Sequence, residues 1–333
     1  MVQFSIICEF EYEESIASLD VADVTGNGIK EIIMKTMDGA LRILDYSEQE
    51  GFHEICRLEK VPPIVTLGHG KILSQESYDF VLGHSDNCMR IASYKDGEMN
   101  IASTTPLGST PTSICVLNVV GDPSAEVVVS TEDKTLRCYG WFEVELDKLA
   151  HKVIDQPTYM MMPLKSLGVP YSRIVFGDDT GFVYIYQYAD DRLHEISKAK
   201  AKGPVQIVAA GNITGNTTED IVTVSDGRNI SVFRYEHPDF KRVDSLKASS
   251  PITSVKIGDF LPDYDEKQIL VTHDSSTIAL LSYEANRLNP IASTRTAKKA
   301  IESFIAYGNL SENKGEEIIQ SVGNMLYLLR IDE

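Results

Sequence analysis

Short apolar runs recur along this chain at a near-constant interval. The first run of each unit alternates apolar and polar positions, beginning at Ser15 (SIASLDVAD), Pro63 (PIVTLGHGK), Pro111 (PTSICVLNV), Pro157 (PTYMMMPLK), Pro204 (PVQIVAAGN), Pro251 (PITSVKIGD) and Ala300 (AIESFIAYG), at steps of 48, 48, 46, 47, 47 and 49. Proline suits the first residue of a strand, where no ladder donor is required. After a polar turn, an acid or polar residue heads a second, continuous run: Glu31 before IIM, Asp79 before FVL, Glu126 before VVV, Arg173 before IVF, Asp220 before IVT, Gln268 before ILV and Glu317 before IIQ. A tight turn follows, such as MDG at 37–39, DTG at 179–181 or SDG at 225–227. A third strand (ALRILDY, FVYIYQY) and a more polar fourth (FHEICRLE) complete the unit. β-branched runs punctuated by Gly and Asp turns are strand and hairpin signals.

The third strand ends in an aromatic column of Tyr46, Tyr94, Trp141, Tyr188, Tyr235 and Tyr283, broken only in the seventh unit by Asp332. The sole tryptophan is thus one member of a structural column. Four short strands per unit of this length describe a propeller blade. The pattern therefore predicts an all-β chain, one seven-bladed β-propeller with four-stranded blades spanning 1–333. The 34 residues from Ala300 onward hold only three strands, and the 14 residues before Ser15 supply the fourth. Ser5–Glu11 aligns with His53–Glu59, the fourth strand of the first unit. Residues 1–14 are therefore expected to complete the last blade and close the ring.

Composition narrows the partners. The chain has 49 acidic and 31 basic residues, a net charge of −18. Such a surface repels phosphate backbones, so nucleic acid is not an expected partner. The start, MVQFSIICEFEYEE, has no basic region followed by an apolar stretch, and no run reaches the roughly 18 apolar residues of a membrane span. A cytoplasmic protein without membrane insertion is expected. Cys8, Cys56, Cys88, Cys115 and Cys138 are odd in number and lack CxxC spacing, as expected of small buried residues in a reducing compartment. The sequons at Asn212, Asn216, Asn229 and Asn309 then carry no glycan.

The turn after the first strand of unit one reads Asp23-Val-Thr-Gly-Asn-Gly-Ile-Lys-Glu31 before its apolar strand. It resembles the FG-GAP repeat, D-x-[DN]-x-[DN]-G-x-x-D, of integrin-α-like propellers. Among intracellular members, the chain is similar to the propellers of the KICSTOR FG-GAP protein and of Bardet–Biedl complex subunits. That resemblance implies a scaffolding role without catalysis. It also implies a calcium candidate at Asp23, Asn27 and Glu31, because alternating oxygen ligands converge where glycine permits a sharp turn. Thr25 departs from the pattern at its third position, as do Asn212–Asp220, with neutral residues at ligand positions, and Asn118–Glu126, with Pro123 in the turn. Most of these loops are expected to hold themselves by side-chain-to-backbone bonds.

No GxSxG, HExxH or phosphate-loop signature is present. His84 and His273 share one repeat position and are read as turn residues, and His69 as lining the channel or hydrogen-bonded. Asp178–Asp179 and Asp190–Asp191 fall in hairpin turns, and Met160–Met162 in the inner strand of unit four. The acidic connection between Leu261 and Gln268 is read as a solvated loop. The expected function is a non-catalytic protein–protein interaction scaffold in a multi-protein complex, with no cofactor and no small-molecule ligand. Two alternatives are an enzyme acting on a sugar or small molecule in the axial funnel, using Asp20, Asp23, Asp259 and His69, and a calcium-dependent binding module.

Overall fold

A computed structural model describes residues 2–74, 78–261, 264–297, 303–311 and 316–332. They form seven four-stranded antiparallel sheets arranged in a ring. Blades 1 to 6 take their strands from 16–58, 64–106, 111–153, 161–200, 205–247 and 252–295. Blade 7 combines the strands Ser303–Gly308, Glu317–Val322 and Met325–Asp332 with Gln3–Glu11. The run-in at Ala300 lies outside the described residues.

The first strands of neighbouring blades touch around the axis, and the fourth strands form the rim. Each second strand is covered on both faces, which is why it reads as an uninterrupted apolar run. Ile32, Ile33 and Met34, for example, have no exposed surface. The core is divided among the seams: seven hydrophobic clusters each join residues of two adjacent blades. The cluster between blades 7 and 1 packs Leu19, Ile32 and Leu44 against Ala306, Ile319 and Leu328.

The N-terminal strand closes the ring. Gln3 pairs with Asp332 and Glu11 with Met325. The Tyr12 N–H donates to the Asn324 carbonyl at 2.8 Å, and Ile16 N–H to Gly323 at 2.9 Å. A register shift in this pairing leaves Ile7 unpaired, and the same shift recurs in every outer pair, at Ile55, Ala102, Leu149, Ile196, Val243 and Ile291. A bulge in an edge strand increases its twist and makes it a poor template for another chain.

Blade 4 departs from the repeat. Its first strand is Met161–Leu164, four residues against seven in blades 1, 2, 3, 5 and 6. The strand starts after Pro157 rather than beside it because the preceding segment leans on blade 3. The Thr158 N–H donates to Ser130 Oγ at 3.3 Å, and its carbonyl accepts from the Thr112 hydroxyl at 2.7 Å.

Candidate functional site

The polar residue heading each second strand is an internal clamp. Glu31, Asp79, Glu126, Asp220, Gln268 and Glu317 are at most 4 % exposed. Each reaches back seven residues to its loop backbone. The Val24 N–H donates to Glu31 at 2.6 Å, Ile72 to Asp79 at 3.0 Å, Val119 to Glu126 at 2.7 Å, and Ile213 to Asp220 at 3.2 Å. Leu261 does the same to Gln268 at 2.9 Å and Leu310 to Glu317 at 3.0 Å. Burial pushes the carboxyl groups of Glu31, Asp79, Glu126 and Asp220 above their ordinary range, with the hydrogen bonds acting in the opposite direction. In blade 4 Arg173 takes this position, and its loop is instead laced to blade 5: Leu167 N–H donates to Thr217, and Glu219 N–H to Lys165.

The candidate calcium residues share one loop, and their oxygens close it. Glu31 also accepts from the Thr25 hydroxyl at 2.7 Å. The Gly28 N–H donates to Asp23 Oδ2 at 3.0 Å, and Ile29 N–H to Asn27 Oδ1 at 2.7 Å. Asp23 Oδ1 has no hydrogen-bond partner among the described residues. Among those residues no group of three or more His, Cys, Asp or Glu side chains is placed to hold a metal ion.

His84 and His273 do equivalent work in their blades. The Nδ1 of His84 meets the Pro62 carbonyl at 2.5 Å, and that of His273 meets Ser250 at 3.2 Å. Each ring pins the connection entering its own blade, and burial lowers the His84 imidazole. Trp141 packs against the blade 2–3 cluster, and Met161 is buried in the blade 3–4 cluster. Met160 Sδ lies 3.5 Å from the Val208 N–H.

The inner strands bring together two of the axial candidates and a third residue. Asp20 of blade 1 lies 3.2 Å from His69 Nε2 of blade 2 and 3.0 Å from Lys256 Nζ of blade 6. Burial alone would raise the Asp20 carboxyl, but the Lys256 ammonium and His69 hold it well below the usual carboxylate range. Asp259 stands apart, 3.6 Å from Lys267. Lys256 carried no signal of its own in the sequence, since it aligns with Asp20 in the repeat and not with another lysine.

The antiparallel order puts the loops between first and second strands, and the hairpins between third and fourth, on one face of the disc. On that face, Val120 and Leu167 stand 47 % and 82 % exposed, and Phe142 and Val144 51 % and 74 %. All four belong to blades 3 and 4. Leu167 also borders a groove of about 480 Å³, lined further by Pro163, Val169, Pro170 and Tyr171. Scattered exposed apolar residues are ordinary on a protein surface, whereas contiguous apolar patches are not.

No family model matches the chain. No curated protein matches it either. Among the solved structures that share its fold are two crystal structures of one complex. One is a crystal structure of BBS1N in complex with ARL6DN, soaked with mercury. It has a TM-score of 0.73 and 10 % identity, covering 99 % of this chain and 97 % of that one. The other is the same complex soaked with lead, with a TM-score of 0.74 and 9 % identity, covering 98 % and 96 %. Both likenesses concern the fold: a β-propeller over essentially the whole chain.

Proposed function

We propose that this propeller is a non-catalytic protein–protein interaction scaffold, a cytoplasmic subunit of a multi-protein complex. The observation that carries the reading is the grouping of Val120, Phe142, Val144 and Leu167 on one face of blades 3 and 4. These side chains cost free energy in water and gain it when a partner covers them. A neighbour of the same fold, BBS1N, is a propeller crystallised with a protein partner, ARL6DN, which supports the same use here. The acidic surface favours protein partners over nucleic acid, and no helix of the described residues is long and apolar enough to cross a membrane. Cross-linking mass spectrometry from the native cell tests the reading, comparing the wild type with Leu167→Asp and Val120→Asp. Specific cross-links to blades 3 and 4 that disappear in the variants are expected. A wild-type protein that forms no specific cross-links sinks the proposal.

A second reading, an enzyme acting on a sugar or small molecule in the axial funnel, draws on the Asp20–His69 contact. It requires turnover of a glycoside or lactone that Asp20→Asn abolishes.

A further inference from the structure

Blade 1 contains an arginine-binding arrangement that it fills itself. Arg42 extends from the third strand, its Nη2 2.9 Å from Asp38 and its Nη1 3.6 Å from Glu54. The guanidinium lies 5.4 Å from the centroid of the Tyr12 ring. Two carboxylates and an aromatic face are the groups that a planar, delocalised cation prefers. Blades 2 and 3 repeat the arginine with its turn acid, Arg90 with Asp86 and Arg137 with Asp133, each at 2.6 Å.

The outer-strand acid is rarer. Glu54 sits opposite Leu44, and the equivalent residues in blades 2, 3, 5, 6 and 7 are Ile101, Lys148, Arg242, Pro290 and Ile6. In blade 4 it is Glu195, opposite Tyr186. The position that holds arginine in blades 1, 2 and 3 is opposite Met34, Leu82 and Val129; in blade 4 it is opposite Phe176, and the residue there is Tyr184. Blade 4 thus keeps the acid and has no arginine of its own at that place.

What stands there is a cleft of about 210 Å³. Its lining includes Asp155, Asp178 and Glu195, with Phe176, Tyr184 and Tyr186 as aromatic surfaces. The short first strand of blade 4 leaves the residues leading into it unpaired with Gly177 and Asp178, which opens the site. Tyr184 donates to Asp178 at 3.0 Å and Tyr186 to Glu195 at 3.3 Å, fixing both rings. Two ammonium groups are nearby: Lys152 on the lining, and Lys198, an exposed side chain 3.8 Å from Glu195 and 5.8 Å from the centroid of the Tyr184 ring, which an incoming guanidinium would displace. The carboxylates outnumber them. The volume is below the roughly 300 Å³ at which drug-sized ligand pockets begin and suits one long side chain.

We propose that this cleft, on the face of the disc opposite the Leu167 groove, receives an arginine side chain from a partner protein. The proposal rests on the scaffold reading, since the partner supplies the arginine, and blade 1 shows within the same chain how such a guanidinium is held. The test uses the full chain with ring-labelled tyrosine, titrated with Nα-acetyl-arginine amide and observed by NMR. Saturable shifts of the Tyr184 and Tyr186 resonances are expected, with none from the citrulline analogue, which has the same shape but no charge. Glu195→Gln should weaken the response roughly fivefold, in keeping with one partly exposed charge pair. Glu143→Gln, in an exposed turn, should leave it unchanged. Equal shifts from citrulline, tighter binding of the lysine analogue, or no saturable shift would each overturn the proposal. Because no partner is present in this titration, its failure would leave the cross-linking test of the scaffold untouched.

Discussion

Asp20 and Lys256 meet at 3.0 Å although 236 residues separate them and they belong to blades 1 and 6. The bridge passes beside blade 7, the one blade assembled from both ends of the chain. It therefore ties the ring together across its closing seam. Both side chains are partly exposed, at 40 % and 25 %, so water and salt weaken the pair.

Asp20→Asn is accordingly expected to lower stability by about 1 kcal/mol in low salt and by less in high salt. The sign with pH follows from the lowered carboxyl. Its contribution is complete above the ordinary aspartate range and is lost as pH falls through the depressed value. Urea unfolding of both proteins at several pH values and salt concentrations checks this. A difference that grows with added salt would contradict it.

Glu31 makes a contrasting prediction. Its folded carboxyl titrates above the ordinary 4.5, so the folded state holds its proton more tightly than the unfolded state does. Its contribution is greatest when protonated, at low pH, and diminishes as pH rises through the elevated value. Glu31→Gln removes that slope, so its stability relative to wild type should rise between the ordinary glutamate range and neutrality. Gln268 already shows that an amide oxygen can take the two loop N–H groups. Glu31→Ala leaves those donors unsatisfied and should cost about 1–3 kcal/mol. Thermal melts of the two variants across pH distinguish these outcomes.

Deleting residues 2–13 would expose the strand Met325–Asp332 as an unpaired edge. A large fall in melting temperature and concentration-dependent association are expected, because open apolar edges recruit further strands. Size-exclusion chromatography and calorimetry read both effects. An unchanged melting temperature would show that the closing strand contributes nothing.

Gly177 lies at a close approach between blades 4 and 5. A Cβ at that position would lie 2.2 Å from Val205 Cγ1. Gly177→Ala should therefore force the seam apart and destabilise by about 1–3 kcal/mol. Differential scanning calorimetry checks it, and a neutral result would mean that the blades slide more freely than their packing implies.

The repeat was legible because its columns reuse one residue type for one purpose. Tyr46, Tyr94 and Trp141 each end a third strand, and a run of such residues at constant spacing has a single structural reading. The bulge residues Ile7, Ile55 and Leu149 recur just as regularly but carry no distinguishing residue type, since aliphatic residues fill every strand. The candidate calcium loop was visible as a motif, yet the inward turn of Glu31 was not. Whether a carboxylate faces a cation or its own backbone depends on burial, which spacing does not report. The Asp20–His69–Lys256 cluster was half visible, because its members differ in type and lie on three blades. The blade 4 cleft was hidden for another reason. It arises from what is missing at one place in the repeat, where Tyr184 stands instead of the arginine of blades 1, 2 and 3.

The closing strand also constrains how the molecule assembles in time. Gln3 and Asp332 are neighbours in the sheet but lie 329 positions apart along the chain. The entropy of closing a loop grows slowly with its length, yet contacts this remote form late and slow the approach to the native state. Hairpins within each blade are local and need no such search. The expected order of events is local hairpins first, then stacking of the blades, with the two chain ends sealed together as the final step.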